Sequence, residues 1–205
     1  MASKIHVVGI GPGSKEYLPP IAVEIINKAE VLFGGQRALN MFKELPCEKL
    51  TIDSNIENVL TIIQQRYRKQ TVVVLVSGDP GFFSLLSRLK ESVPEEELNV
   101  IPGISSVQLA FARIRKPWHN MQAISLHGRD ISELEQYLTV SPLAILCDKN
   151  HSPQIIARYF LSRGITDRQA FVFQNLSYPE ENIVSVNIEE MAGYETYGNA
   201  LVVIT

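Results

Sequence analysis

The stretch of residues 71–84, TVVVLVSGDPGFFS, constrains the fold more than any other part of the chain. Its five apolar residues Val72–Val76 predict a strand covered on both faces, because a half-exposed strand would alternate apolar and polar residues. The strand leads into a Gly-rich turn at 77–81 and then into an apolar pattern that predicts a helix. Open α/β sheets bind ligands at such strand ends. A tight turn capped by Asp79 would also explain the motif, so the motif alone leaves both interpretations open.

Similar turns follow three other predicted strands in the first half of the chain. The strands are predicted at 4–10, 31–33 and 98–101, and their turns at 9–14, 34–35 and 102–106. In a mostly parallel sheet, all four turns fall on the same edge. The turn at 9–14 predicts a close approach to a ligand but a poor cradle for NAD. Ser14 replaces the last glycine of G-x-G-x-x-G, and Pro12 has no N–H to offer a pyrophosphate.

The remaining pattern predicts two small α/β domains with mixed sheets and a cofactor cleft between them, since clefts at domain interfaces are common ligand sites. The helical pattern stops near Trp118, which places the boundary at 116–121 and the domains at 1–117 and 118–205. Ser54 and Glu57 predict a capping box for a helix in the first domain. Further helices are predicted to start at about residue 20, to span 38–44, to end at about residue 91, to start after residue 106, and to span 132–138 and 152–163. Strands of the second domain are predicted at 123–126, 144–147, 170–174, 183–186 and 200–204.

Composition narrows the class of partner. The 205 residues are 45% hydrophobic and 20% charged, as in soluble globular proteins, and the formal net charge of −3 argues against nucleic acid or an anionic membrane as the main partner. Neither a signal peptide nor a membrane-spanning apolar run is visible. Cys47 and Cys147 do not have a metal-ligand spacing. We therefore expect reduced thiols, no metal and a cytoplasmic protein.

Four segments in register carry a family resemblance: GIGPGS at 9–14, SGDPGFFS at 77–84, PGISSVQLAFARI at 102–114 and SLHGRD at 125–130. Together they resemble the tetrapyrrole (precorrin) methyltransferases, in the order and spacing of that family. The combination of the last two segments is similar to the subgroup that methylates C5 of cobalt-precorrin-7 in cobalamin biosynthesis. The later segments CDKNHSP at 147–153 and FQNLSYPEE at 173–181 also resemble this subgroup.

The resemblance implies S-adenosylmethionine as cofactor, a homodimer, a tetrapyrrole substrate, and a C15-methylating decarboxylase as a possible separate partner. It implies cofactor contacts from both domains. Some relatives have methionine in place of Cys147 and glycine in place of Leu176, so only backbone contacts are expected to survive at these two positions. The implied contacts are Pro12, Ser77, Gly78, Asp79, Phe82, Ser105, Ser106, Cys147 and Leu176.

The implied reaction asks little of side chains as acids or bases, because a sulfonium methyl is already activated. We therefore predict no catalytic residue, and expect the protein to align the reactants and exclude water. The many carboxylates of a precorrin predict cationic side chains near the motif loops. The candidates for binding the substrate are Arg37, Arg113, His127, Arg129 and Lys149, with His151 as a further one. A hydrogen-bonded core position for His127 and a solvated position for Arg113 are the alternatives.

Other functions remain open at this stage. Another tetrapyrrole methyltransferase or a diphthine-type methyltransferase would share the fold, and a non-catalytic scaffold could keep it. A NAD(P)-dependent oxidoreductase is disfavoured by Pro12 and Ser14 and by Gly34-Gly35-Gln36, where an acidic residue would bind the ribose.

Overall fold

The computed structural model describes residues 5–195 and 200–205. They divide into two compact units, residues 1–105 and 106–205. This division precedes the boundary predicted at 116–121, because the helix that starts at Ser106 contacts the last strand of the chain and belongs to the second unit. Lys4, the predicted start of the first strand, lies outside the described residues.

The first unit is a parallel sheet with helices on its faces. Every pair of neighbouring strands is parallel, in the order β3-β2-β4-β1-β5, so all the carboxyl ends of its strands lie on one edge. The predicted common edge for the Gly-rich turns is therefore confirmed. The strands among the described residues are β1 (Ile5–Gly9), β2 (Val31–Gly34), β3 (Glu48–Thr51), β4 (Val72–Val76) and β5 (Leu98–Ile101). The helices are α1 (Pro20–Asn27), α2 (Gln36–Met41), α3 (Ile56–Arg66) and α4 (Leu86–Ser92), with 3₁₀ turns at Lys15–Tyr17 and Glu95–Glu97.

Strand β4 is buried on both faces, as its apolar run predicts. Val72, Val74 and Val76 pack in the core cluster that includes residues of α3 and α4. Val73 and Leu75 point to the opposite face and pack in the cluster that includes residues of α1 and α2. Because successive side chains of a strand point to opposite faces, β4 contributes to two separate cores. Packing on both faces holds the end of β4 in the middle of the sheet.

Two local predictions in this unit are wrong, and one strand was not predicted. The cap of α3 is Asn55, whose Oδ1 accepts from the backbone N–H of Asn58 at 3.2 Å, so the predicted capping box of Ser54 and Glu57 does not form. Phe82 and Phe83 precede α4 instead of lying in a helix. Their rings meet edge to face, with 4.8 Å between the ring centroids. Strand β3 was not predicted, because its sequence EKLT is polar and its strand lies at the edge of the sheet.

The second unit is built on a mixed sheet. In the order β6-β7-β10-β8-β9, only β6 and β7 pair in parallel. Because β8 is antiparallel to β10 and β10 to β7, the carboxyl ends of β6, β7 and β8 lie on the same edge. Its elements among the described residues are α5 (Ser106–Arg113), β6 (Gln122–Ser125), β7 (Leu143–Leu146), α6 (Pro153–Ser162), β8 (Gln169–Gln174), β9 (Asn182–Asn187), α7 (Ile188–Met191) and β10 (Ala200–Ile204). The segment predicted as a helix at 132–138 consists of 3₁₀ turns at Ile131–Tyr137.

Within residues 5–195 and 200–205, no helix is both long and apolar enough to span a bilayer.

Candidate functional site

Three Gly-rich turns of the first unit meet backbone to backbone at the carboxyl edge of its sheet. A Cβ atom on Gly9 would lie 2.6 Å from the backbone N of Gly103 and 2.7 Å from the carbonyl oxygen of Gly78. A Cβ on Gly103 would lie 2.3 Å from the same carbonyl oxygen. Backbone atoms cannot move aside as a flexible side chain can, so this approach of β1, β4 and β5 requires glycine.

Hydrogen bonds join the first two of these turns. The N–H of Gly78 donates to the carbonyl of Gly11 at 2.8 Å, and the N–H of Gly11 donates back to Gly78 at 3.3 Å. Both glycines have positive φ, +77° at Gly11 and +70° at Gly78, a conformation that other residues rarely adopt. Pro12, half-buried, follows directly. Two of the sequence motifs are thus one structural unit.

Asp79 joins the second turn to the third. Its Oδ1 accepts from the N–H of Gly81 at 2.8 Å, and its Oδ2 accepts from the N–H of Gly103 at 3.0 Å. One side chain thus accepts a backbone hydrogen bond from each of two turns. In this arrangement Asp79 holds the edge together, a role that the sequence did not reveal.

The other predicted contacts of this edge differ in exposure. Ser77 is exposed, whereas Ser105 is buried. Phe82 is half-buried, and its N–H donates to the carbonyl of Asp79 at 3.1 Å. Ser106 begins α5 and belongs to the second unit.

Cys147 and Leu176 lie on the carboxyl edge of the second sheet, after β7 and β8 respectively. The thiol of Cys147 packs in the core of this unit, and burial, aided by the charge of Asp148, raises its pKa, so the group stays protonated. Its N–H donates to the carbonyl of Ala200 at 3.2 Å. The side chain of Cys147 is thus turned into the core and its N–H is bonded within the sheet, so any contact of this residue with a ligand would be through its backbone carbonyl.

A loop carboxylate that sequence reasoning missed lies beside Cys147. Asp148 Oδ1 accepts from the backbone N–H groups of Asn150 at 3.0 Å and His151 at 2.7 Å, and it lies 2.9 Å from His151 Nδ1. Burial opposes the charged form, but these hydrogen bonds outweigh it and lower the pKa of Asp148. The imidazole of His151 is therefore fixed against its own loop.

Arg113, predicted to bind substrate, forms an ion pair with Glu181. The Nε–Oε1 distance is 2.6 Å and the Nη2–Oε2 distance 3.3 Å, so the contact is bidentate. The hydrogen bond from Arg113 lowers the pKa of Glu181, against the effect of burial. The partner is 68 positions away in the chain, and no pattern in the sequence indicates it.

The remaining predicted cations lie at the surface. Arg129 pairs with Glu133 at 3.0 Å, and both side chains are exposed. Arg37 and Lys149 are exposed. His127 is exposed as well, with its Nδ1 at 3.0 Å from the hydroxyl of buried Ser125, which excludes the alternative of a core histidine. In the part of the chain that the structure describes, no group of three or more His, Cys, Asp or Glu residues could hold a metal ion.

Comparison with known proteins gives concordant results. Residues 4–192 match the family described as Tetrapyrrole (Corrin/Porphyrin) Methylases. The chain is 35% identical to the cobalt-precorrin-7 C(5)-methyltransferase of Salmonella typhimurium, covering 98% of both chains. The structure of a cobalamin biosynthesis precorrin-6Y methylase from Archaeoglobus fulgidus is similar, with a TM-score of 0.75, 25% identity and coverage of 99% of this chain and 97% of that chain.

A third similarity concerns the fold alone. The uroporphyrin-III C-methyl transferase of Thermus thermophilus, solved in complex with S-adenosylhomocysteine, aligns with a TM-score of 0.84 at 23% identity. The alignment covers 98% of this chain and 96% of that chain. Both units of the structure described above therefore have counterparts in a solved methyltransferase.

Proposed function

Because the chain belongs to the tetrapyrrole (corrin/porphyrin) methylase family, we propose that it transfers a methyl group from S-adenosylmethionine to C5 of cobalt-precorrin-7 in cobalamin biosynthesis. The observation that carries the proposal is the similarity to a C(5)-methyltransferase over nearly the whole of both chains. The glycine-dependent edge of the first sheet supports it, since such an edge is where open α/β sheets bind ligands.

The proposed cofactor contacts suit a sulfonium ligand. When bound, S-adenosylmethionine supplies a methyl group already activated by the positive sulfur. None of the proposed contacts is a lysine or arginine that would repel this charge. They offer backbone groups, hydroxyls, the ring of Phe82 and the carboxylate of Asp79. In the first unit we propose Pro12, Ser77, Gly78, Asp79, Phe82 and Ser105, and in the second Ser106, Cys147 and Leu176.

We assign the residues a binding and aligning role rather than acid or base chemistry. The turns joined by Asp79 and by the Gly11–Gly78 hydrogen bonds form a rigid frame. A rigid frame can hold the acceptor carbon, methyl group and sulfur in line and keep water away, which contributes several kcal/mol to catalysis. Cys147 and Leu176 would contribute through their backbone.

For the substrate, we propose that carboxylates of the macrocycle are bound by exposed cationic groups. Lys149 is a strong candidate, because among the described residues it has no ion-pair partner to displace. Arg129 is bound to an exposed glutamate, and exposed pairs are weak enough to be exchanged for another carboxylate. Arg37 and His127 complete the proposed set.

We further propose a cytoplasmic homodimer. Isologous dimers are the commonest oligomers of soluble proteins. Sedimentation at micromolar concentration should give twice the chain mass of 23.0 kDa, and a species of the single-chain mass would contradict the dimer. We also propose, from the family resemblance, a separate C15-methylating decarboxylase as a possible partner.

The function is tested by mass spectrometry of tetrapyrroles incubated with the protein and S-adenosylmethionine. The substrates compared are cobalt-precorrin-7, the same compound without cobalt, and uroporphyrinogen III. We expect one added methyl group on cobalt-precorrin-7. Transfer only to uroporphyrinogen III, or to none of the three, would contradict the proposal, and the metal-free compound shows whether cobalt is required.

A further inference from the structure

We propose that Arg113 is a positioning residue that acts through Glu181 on the turn carrying Leu176, and thereby raises the affinity for S-adenosylmethionine. In this role it does not dock a substrate carboxylate. The inference rests on the proposed function, because it concerns the same cofactor. It depends only on contacts within the second unit.

The first step is the strength of the ion pair. Arg113 is the last residue of α5 and reaches Glu181 through two donors of its planar guanidinium. The Glu181 side chain is only 20% exposed, and no other carboxylate paired with Lys or Arg among the described residues is as buried. Bidentate pairs of low exposure hold their geometry better than pairs at the open surface.

The second step links the ion pair to the turn between β8 and β9. Glu181 Oε2, which Arg113 also contacts, accepts from the backbone N–H of Ser177 at 2.7 Å. Arg113, Glu181 and Ser177 thus form a continuous chain of hydrogen bonds. Its first member is anchored on a helix and its last member is the residue directly after Leu176.

The third step is the conformation of that turn. Asn175 and Ser177 have φ of 50° and 70°, in the left-handed region, which asparagine tolerates and serine rarely adopts. Such conformations persist only where surrounding contacts enforce them. The carboxylate of Glu181 is one of these contacts. Leu176 lies between these two left-handed residues, so the direction of its backbone groups depends on both.

The same geometry disfavours a substrate-docking role. A macrocycle carboxylate could take the two guanidinium donors only by displacing Glu181, whose negative charge would then remain beside it. The displacement would also remove an acceptor from the N–H of Ser177. Arg129, by contrast, can exchange an exposed partner for a substrate carboxylate without disturbing a strained turn.

The test compares four quantities among variants: the Kd of S-adenosylhomocysteine, the KM for S-adenosylmethionine, the KM for the tetrapyrrole and the melting temperature. The set is Arg113→Ala, Arg113→Lys, Glu181→Ala, Glu181→Gln and the double alanine variant. Arg163→Ala is the matched control, because it breaks an exposed arginine pair, with Glu135 at 2.9 Å, in the same unit.

We expect Arg113→Ala to raise the Kd of S-adenosylhomocysteine and the KM for S-adenosylmethionine about tenfold, which corresponds to about 1.4 kcal/mol. The KM for the tetrapyrrole should stay within about twofold, the spread of an unaffected contact. Arg113→Lys should recover part of the affinity, since an ammonium cannot make the bidentate contact. Glu181→Gln should lose less affinity for S-adenosylhomocysteine than Glu181→Ala, because the amide oxygen of glutamine can still accept from the N–H of Ser177. The double alanine variant should lose no more affinity than the weaker-binding of the two single alanine variants, as expected for residues that act as one unit.

Several results would overturn the inference. A raised tetrapyrrole KM with an unchanged Kd for S-adenosylhomocysteine would make Arg113 a substrate-binding residue. A lower melting temperature with unchanged Kd, measured well below that temperature, would make the pair purely structural. Additive losses in the double variant would show two independent roles. If the wild-type protein itself fails to bind S-adenosylhomocysteine, the proposed function is contradicted, and that result is separate from any failure confined to the variants.

Discussion

Asp79 and Gly103 are bonded across the carboxyl edge of the first sheet: Asp79 Oδ2 accepts from the N–H of Gly103 at 3.0 Å, 24 positions further along the chain. The other carboxylate oxygen accepts from Gly81 at 2.8 Å. One side chain therefore sets the separation of two turns proposed to bind the cofactor.

Removing this carboxylate should impair both binding and stability. We expect Asp79→Ala to weaken S-adenosylhomocysteine binding by about 1–3 kcal/mol, because two backbone N–H groups lose their acceptor. It should also lower the free energy of unfolding, an effect that the sequence motif alone did not predict. The losses in Asp79→Asn should lie between those of wild type and Asp79→Ala, since an amide has one acceptor oxygen. Calorimetry and urea unfolding measure the two effects, and a variant that matches wild type in both would remove Asp79 from the site.

The close approach of the turns predicts intolerance to a single methyl group. Gly103→Ala should destabilise the fold by about 1–3 kcal/mol or more, because its Cβ would meet backbone atoms of Gly78 and Gly9. Gly35→Ala is the matched control. Gly35 also follows a strand of this sheet, has φ of −61°, and has nothing within 4 Å of an added Cβ. Equal stability of the two variants in urea unfolding would show that the turns are not packed as described.

Arg129 should act in turnover and not in cofactor binding. We expect Arg129→Ala to lower kcat/KM for cobalt-precorrin-7 about ten- to a hundred-fold, or about 1.4–2.7 kcal/mol, with the affinity for S-adenosylhomocysteine nearly unchanged. Arg129→Lys should recover part of the loss. Steady-state kinetics and calorimetry measure the two effects. Normal turnover in Arg129→Ala would pass the carboxylate-binding role to Lys149 or Arg37.

The ion pair of Glu181 predicts a pH dependence of stability. Because Arg113 lowers the pKa of Glu181, the stabilisation from its charged form is fully present above the pKa of the unfolded chain. It is lost as the pH falls through the lower pKa of the folded state. The free energy of unfolding should therefore fall more steeply on acidification in wild type than in Glu181→Gln. The free energies of unfolding of both proteins are measured with urea from neutral to acidic pH. If they fell in parallel, the result would be inconsistent with this ion pair.

The arrangement of the first unit could be predicted because its signals are local. The apolar run Val72–Val76 predicts a buried central strand, and the Gly-rich turns after four of the five strands predict the ligand edge. Short polar segments such as β3 carry no such signal, since edge strands need little apolar surface. The helix cap was misplaced by one residue because Ser54 and Asn55 are both good capping residues.

The motif residues of the candidate site are visible in the sequence, but the hydrogen bonds between them are not. Glycines and Asp79 are visible as motifs, yet the bond from Asp79 to Gly103 depends on the order of β4, β1 and β5 in the sheet. The pair of Arg113 and Glu181 depends on a return of the chain over 68 positions. Contacts of this kind are set by topology, and a single sequence does not encode them in any short pattern.

The most direct test of the account is to follow a ¹³C-labelled methyl group from S-adenosylmethionine to cobalt-precorrin-7 by NMR. The account predicts a single labelled methyl resonance that correlates with C5 of the macrocycle, at a rate that falls in the Asp79→Ala and Arg129→Ala variants. A labelled methyl group on any other position, or no transfer by a folded protein that is supplied with both substrates, would contradict it.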